Sequence, residues 1–165
     1  MSTPIRCDLS LIAYSKGDYA SCKVDRKSTS GSCLFLGGCL ISWASKKQHS
    51  VALSTAEDEY VAAGSCGAQV LWVKHQLKDF NVNLSCVPIL CDNTSAINLS
   101  KNPVQHSRTK HIEIRHHFLR DHVAKKDFEL NFIETSKQFA DIFTKPLSEE
   151  KFTSIRRELG LCKIE

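Results

Sequence analysis

The stretch that decides the fold is VALSTAEDEYVAAGSCGAQVLWVKHQLKD, residues 51–79. Near its start, Ser54-Thr-Ala-Glu57 has the spacing of a capping box, in which serine and glutamate side chains bond the free N–H groups of a helix N-terminus. Apolar and small residues then recur every three or four positions, which predicts a long helix over about 55–79. Because Gly64 and Gly67 fall on one side of that helix, we expect it to approach a sheet closely there.

Strand patterns lie on both sides of this helix. Before it, Leu9–Ser15 reads as a strand, and the apolar runs 33–36 and 39–43 flank Gly37-Gly38, a dipeptide suited to a tight hairpin turn. After it, the patterns predict a strand at 87–91, a short helix from Asn93 or Thr94 through Leu99, a helix over 109–124, a strand at 128–133 and helices over 136–144 and 149–159. The order βββαβααβαα predicts an α/β protein with a mixed sheet covered by helices.

The composition is that of an ordinary globular protein, with 165 residues, 42% hydrophobic and 24% charged residues, and few glycines and prolines. Nothing divides the chain, so we expect a single domain over 1–165, with its core at about 9–147 and a C-terminal helix at about 149–160. Trp43 and Trp72 fall on predicted apolar faces, so we expect them in that core. We find no signal peptide and no apolar run near the roughly 20 residues of a spanning helix. We therefore expect an intracellular protein that is not secreted and has no membrane partner, with eight reduced and mainly buried cysteines.

The positive charge is concentrated in residues 101–126, which hold seven Lys and Arg against two acidic residues, as well as five of the seven histidines. A polyanion would therefore meet one basic face, although a merely solvated helical face is the alternative interpretation. Zinc is a second interpretation of so many Cys and His residues, but the chain has no Cys-x-x-Cys pair, so we do not expect it. The residues that we expect to hold nucleic acid are Lys101, His106, Arg108, Lys110, His111 and Arg115.

Three carboxylates, those of Glu59, Asp92 and Asp141, lie on or beside elements that otherwise face the core. Carboxylates at the ends of strands point into the crevice where α/β proteins bind ligands, and hard oxygen ligands suit Mg²⁺. These residues suggest a site for phosphoryl transfer. The alternative is that Asp92 only caps the next helix and the other two are solvated, and spacing alone does not decide between the two.

A set of ordered motifs favours the first interpretation. They are DRKSTSG (25–31), ISWASKKQ (41–48), VALSTAEDEY (51–60), CDNTSAI (91–97), KNPVQHSRTKHI (101–112) and FADIFTKPL (139–147). Together, over about residues 11–161, they resemble the ribonuclease H domain at the C-terminal end of the Pol polyprotein of copia-type (Pseudoviridae) LTR retrotransposons. The resemblance implies a ribonuclease H-like fold, a mixed five-stranded sheet flanked by helices. It also implies endonucleolytic hydrolysis of the RNA strand of RNA/DNA hybrids during reverse transcription.

The family holds two Mg²⁺ ions, or Mn²⁺, in an Asp-Glu-Asp-Asp cluster. Residue by residue, the resemblance implies that Glu59, Asp92 and Asp141 are catalytic metal ligands. It further implies an RNA/DNA hybrid and the reverse transcriptase domain of the same polyprotein as partners. The corresponding location is a cytoplasmic virus-like particle or the nucleus.

The first carboxylate of the family pattern is replaced. Where these domains usually read Tyr-Ser-Asp-Ala-Asp, this chain has Lys16 at the first aspartate and keeps Asp18 at the second. An ammonium at that point opposes the binding of two divalent ions, which impairs hydrolysis. Residues 16 and 18 share one face of a strand, so a shift helped by Gly17 would let Asp18 act as the fourth ligand. The alternative function is an inactive, nucleic-acid-binding remnant of a Pol polyprotein.

Overall fold

A computed structural model describes residues 9–101 and 110–162, without the side chains of residues 110–116. In chain order the elements are β1 (Leu11–Asp18), β2 (Thr29–Leu36), β3 (Cys39–Lys47), α1 (Thr55–Asp79), β4 (Val87–Cys91), α2 (Thr94–Lys101), α3 (Lys110–Ala124), β5 (Phe128–Phe132) and α4 (Glu149–Glu158). Two short 3₁₀ helices, Thr135–Lys137 and Phe139–Phe143, lie between β5 and α4. Within the described residues, no helix is both long and apolar enough to cross a bilayer.

The described strands form one five-stranded sheet in the order β3-β2-β1-β4-β5. The pairs β1–β2 and β2–β3 are antiparallel, whereas β1–β4 and β4–β5 are parallel. Gly37 and Gly38 have φ angles of 56° and 80°, so both adopt the left-handed conformation that a tight hairpin between β2 and β3 requires. The predicted mixed sheet is confirmed, with β1 at its centre and the C-terminal ends of β1 and β4 side by side.

Helices cover both faces of the sheet. On one face, α1 packs against a core that includes Ala13, Ile89 and Phe128. On the other face, the Phe139–Phe143 helix and α4 cover a smaller cluster around Phe35. Both clusters draw on β1, because its successive side chains point to opposite faces.

Helix α1 begins as its sequence predicts. The Ser54 hydroxyl accepts a hydrogen bond from the Glu57 N–H at 3.1 Å, and the Glu57 carboxylate accepts one from the Leu53 N–H at 3.0 Å. The expected close approach to the sheet occurs at Gly67, where an added Cβ would lie 2.6 Å from the Phe128 ring. At Gly64 the expectation is wrong, since an added Cβ would meet nothing within 4 Å.

The helix predicted over 136–144 is instead two 3₁₀ helices separated by Gln138. The buried Gln138 amide donates to the carbonyl oxygens of Ser15 at 3.0 Å and Leu90 at 3.2 Å, and its oxygen accepts from the Ala140 N–H at 3.3 Å. The chain leaves helical geometry there because this amide satisfies backbone carbonyl groups of the two central parallel strands.

The expectation that both tryptophans are buried is also wrong. Trp43 and Trp72 are each 58% exposed. Trp43 lies on β3, an edge strand of the sheet, and Trp72 lies on the solvent side of α1. The seven described cysteines are free thiols, but the expectation that they are mainly buried is wrong, since only Cys33, Cys66 and Cys91 are buried.

Replacing Gly67 by alanine is expected to destabilise the fold, because the new methyl group would press on the buried Phe128 ring. We expect the free energy of unfolding to fall by roughly 1–3 kcal/mol, the usual cost of overpacking a core. Gly64→Ala is the matched control. It lies in open space on the same helix, and alanine favours a helix over glycine by up to about 1 kcal/mol, so stability should rise. Urea unfolding of both variants tests this, and equal effects would contradict the close approach.

Candidate functional site

Three distant parts of the chain meet at the C-terminal ends of β1 and β4. The Lys16 ammonium, on β1, lies 2.7 Å from Glu59 Oε1, on α1, and 3.2 and 3.1 Å from the two carboxylate oxygens of Asp92, which follows β4. The other Glu59 oxygen accepts a hydrogen bond from the Gly17 N–H at 2.9 Å. The Thr135 hydroxyl donates to Asp92 Oδ2 at 3.0 Å. We call Lys16, Glu59 and Asp92 the Lys16 cluster.

The Lys16 cluster is nearly closed to water. The side chains of Lys16, Glu59 and Asp92 are 15%, 4% and 3% exposed. Burial disfavours the charged ammonium, but hydrogen bonds and charge from Glu59 and Asp92 outweigh it and raise the pKa of Lys16 above its ordinary value. Burial raises the pKa of Glu59 to about 7, against the opposing hydrogen bond and charge of Lys16. Lys16 therefore stays positively charged at neutral pH, where Glu59 is partly protonated.

The same place offers possible metal ligands. One ligand atom each from Glu59, Cys91 and Asp92 lies within 4.8 Å of the others. Burial raises the pKa of the Cys91 thiol to about 12, so it is protonated at neutral pH, whereas a metal binds the thiolate. The Lys16 ammonium already takes one Glu59 oxygen and both Asp92 oxygens. Mg²⁺ needs such oxygens at about 2.0–2.1 Å, so this donor set does not fit a two-magnesium centre while Lys16 is in place.

Asp141 lies elsewhere, on the second 3₁₀ helix, and is fully buried. Its Oδ2 is 2.6 Å from the Lys151 ammonium on α4, and its Oδ1 is 3.5 Å from that of Lys145. Among the described residues, the group of possible metal ligands does not include it. Two lysines thus balance the charge of Asp141, and its assignment as a metal ligand stays a prediction.

Asp18 ends β1 and is half-buried, and the described ligand group does not include it either. Its role as a substitute ligand also stays a prediction. The alternative in which these carboxylates are solvated is wrong for Glu59 and Asp141, which are 3% and 0% exposed. The cap of α2 is Asn93 rather than Asp92, because the Asn93 oxygen accepts from the Ala96 N–H at 2.9 Å.

One buried carboxylate beside the cluster, that of Asp58, was not singled out in the sequence. The Gln48 amide donates to Asp58 Oδ1 at 2.8 Å and to the Ser30 hydroxyl at 2.9 Å. Gly17 lies so close to the Asp58 carboxylate that no Cβ would fit between them. Burial raises the pKa of Asp58 to about 6. The only sequence signal for Asp58 is its position next to Glu59 in the motif. That position does not show that the Asp58 side chain is buried.

Only part of the predicted nucleic-acid-binding face lies within the described residues. Lys101 is exposed at the C-terminal end of α2, and Lys125 and Lys126 are exposed just after α3. These positions agree with a basic surface, and the six binding assignments stay predictions. The predicted contacts that lie outside the described residues or side chains are His106, Arg108, Lys110, His111 and Arg115.

Asp58→Asn is expected to change stability in a pH-dependent way. Because the folded protein holds the pKa of Asp58 at about 6 against an ordinary 3.8, it favours the neutral carboxyl, and stability is lost as pH rises from about 4 to 6. The amide removes that loss, so the variant should be more stable than the original chain by roughly 3 kcal/mol at pH 8 and similar below about pH 4. Urea unfolding across this pH range measures it. Asp79→Asn, at an exposed site, controls for the change in net charge, and a constant difference across the range would refute the explanation.

Lys151→Met is expected to destabilise the protein, because it leaves the buried Asp141 carboxylate without its shortest ion pair. We expect the free energy of unfolding to fall by about 1–3 kcal/mol. Lys145→Met is the matched control, since that lysine is 41% exposed and stands 3.5 Å from Asp141, and its loss should cost less than about 1 kcal/mol. Chemical denaturation separates the two. If both variants were as stable as the original chain, Asp141 would not depend on these lysines.

Comparison with known proteins identifies the family to which the chain belongs. No family model matches the chain. The retrovirus-related Pol polyprotein from transposon RE2 of Arabidopsis thaliana is 40% identical over 157 residues, which cover 94% of this chain and 11% of that polyprotein. The chain therefore spans about a ninth of this relative.

Solved structures show the same fold at low sequence identity. The N-terminal RNase H domain of a Mycobacterium tuberculosis protein has a TM-score of 0.61 at 5% identity, over 90% of this chain and 97% of that one. LC11-RNase H1, solved in complex with an RNA/DNA hybrid, has a TM-score of 0.59 at 12% identity, over 82% of this chain and 94% of that one. The chain thus belongs to the ribonuclease H-like domains found in the Pol polyproteins of copia-type retrotransposons.

Proposed function

We propose that this domain binds RNA/DNA hybrids and that its hydrolysis of the RNA strand is strongly impaired. The observation that carries the proposal is the contact of the Lys16 ammonium with Glu59 and Asp92, at 2.7 to 3.2 Å. The resemblance implies that a relative with aspartate at this position uses both carboxylates for divalent metal ions, Mg²⁺ or Mn²⁺. Here the lysine holds those oxygens itself.

Electrostatics favour this conclusion. Two unit charges about 4 Å apart interact by about 4 kcal/mol at an effective dielectric near 20, and a divalent ion doubles the repulsion from an ammonium. Lys16 also removes the bridging anion that the family places at the end of the first strand. A metal would therefore have to displace a buried ion pair before it could bind Glu59 and Asp92.

Binding of the hybrid rests on separate features. Residues 101–126 hold seven Lys and Arg against two acidic residues, and contacts from Lys and Arg to phosphates need no metal at the Lys16 cluster. A protein of the same fold was solved with an RNA/DNA hybrid. RNA-containing duplexes are recognised mostly by shape, phosphates and 2′-hydroxyls.

The chain spans only part of its polyprotein relative, so we propose the reverse transcriptase domain of a common polyprotein as its partner, in a cytoplasmic virus-like particle or the nucleus.

Retained hydrolysis is the second candidate. Asp18 stands two residues beyond Lys16 at the end of β1, and Gly17 between them permits a local change of the backbone. In that case Glu59, Asp92, Asp141 and Asp18 would be the metal ligands, and Lys16 would have to turn away from its present partners. The site would then contain four carboxylates, the number that the family pattern has.

We predict that the purified chain shifts a labelled RNA/DNA hybrid in a gel but does not cut it in Mg²⁺ or Mn²⁺. Lys16→Asp should cut it, because it restores the missing carboxylate and removes the competing cation. The double variant with Asp92→Asn should bind without cutting, which excludes a contaminating nuclease.

Two results would contradict the proposal. If the original chain cuts and Asp92→Asn alone does not, Asp18 or another group completes the site and the second candidate is correct. If the original chain neither cuts nor shifts the hybrid, it is not a hybrid-binding domain.

A further inference from the structure

Lys16 joins parts of the fold that are far apart in the chain. Its ammonium reaches Glu59, 43 residues away on α1, and Asp92, 76 residues away after β4. The parallel backbone pairing of β1 with β4 runs through Ala13–Ile89 and Tyr14–Leu90, whereas the pairing of β1 with β2 continues to Asp18. The ammonium therefore bridges β1 and β4 beyond the end of their described backbone ladder.

When both are ionised, the carboxylates of Glu59 and Asp92 are stabilised by a cation between them. Glu59 and Asp92 each place an oxygen within 4.8 Å of the other, and their side chains are at most 4% exposed. Two ionised carboxylates at that distance repel each other, and burial removes the water that would screen them. Lys16 supplies one positive charge between them and a hydrogen bond to each.

Neighbouring groups fix both carboxylates so that they face the ammonium. The Gly17 N–H donates to Glu59 Oε2 at 2.9 Å, and the Thr135 hydroxyl donates to Asp92 Oδ2 at 3.0 Å. Neither group carries a positive charge, so neither can replace Lys16 in balancing the carboxylates. Among the residues whose side chains the structure describes, Lys16 is thus the cation that offsets the charge of Glu59 and Asp92.

We propose that the Lys16 ammonium is a built-in structural cation, which holds β1, α1 and β4 together by offsetting the charges of Glu59 and Asp92 where the family places metal ions. The domain is then as stable without divalent metal as with it. Removing the ammonium creates a dependence on metal that the original chain lacks. The proposal rests on the part of the proposed function that gives Lys16 the place of the metal, and it is independent of hybrid binding.

Thermal unfolding tests this with the 165-residue chain and its Lys16→Met and Lys16→Asp variants, each in EDTA, Mg²⁺, Mn²⁺ or Ca²⁺. The melting temperature of the original chain should be the same in all four. Both variants should melt lower in EDTA, and Lys16→Asp should gain roughly 5–10 °C at a metal concentration about 100-fold above its dissociation constant. Lys137→Met is the matched control. That lysine is 69% exposed, pairs with Glu134 at 3.7 Å near Thr135, and should give no response to metal.

A second measurement does not require the variants to fold. In a ¹⁵N-labelled original chain, the Gly17 amide signal reports on the cluster because its N–H contacts Glu59. Paramagnetic Mn²⁺ should leave that signal as sharp as those of residues remote from any carboxylate. The same titration of a folded Lys16→Asp variant should broaden it.

The inference is overturned if the original chain is stabilised by Mg²⁺ or Mn²⁺, or if Mn²⁺ broadens the Gly17 signal selectively. It is also overturned if Lys16→Met melts at the temperature of the original chain in EDTA. A gel shift of the hybrid in EDTA is recorded separately. A chain that passes the metal tests but does not bind hybrid would contradict the proposed function and leave the structural role of Lys16 supported.

Discussion

A single ammonium group balances two buried carboxylates where the central strand β1, helix α1 and strand β4 meet. The arrangement constrains the surrounding backbone. Gly17 must lack a side chain because Asp58 presses against it, and its N–H must point to Glu59. Gln138 satisfies carbonyl groups of β1 and β4 just before the cluster. The end of the sheet is therefore organised around charge balance, with backbone hydrogen bonds oriented to suit it.

The parts of the fold that follow from local signals could be predicted from the sequence. The bounds of α1 follow from its cap and its apolar repeat, and the hairpin at Gly37 and Gly38 follows from a dipeptide that tolerates left-handed conformations. Each of these signals lies within a few residues of the feature that it predicts. The grouping of Glu59 with Asp92 was implied by the family resemblance instead, because their spacing alone did not decide it.

What could not be predicted depends on partners that are distant in the chain. The helix after β5 is interrupted because Gln138 bonds carbonyl groups that lie 48 and 123 residues away. Asp141 carries no local sign that Lys151, on another helix, neutralises it. Lys16 was expected to oppose metal ions, but its simultaneous contact with both carboxylates depends on how the sheet places three separate elements. Trp72 was misplaced because apolar residues recur around much of α1, so the repeat does not decide which side faces the solvent.

The edge strand β3 has a consequence for the behaviour of the protein in solution. Among the described strands, none pairs with its outer side, so a row of backbone N–H and C=O groups is open to a strand from another molecule. Its first half exposes Ile41 and Trp43, which favour such pairing, whereas its last two residues are the exposed lysines Lys46 and Lys47. Lys47 pairs with Asp25 at 2.6 Å, so charge repulsion between the Lys46 ammonium groups of neighbouring molecules limits stacking at that end. Solubility of this domain should therefore fall at high salt, where the repulsion is screened and the apolar half of the edge dominates.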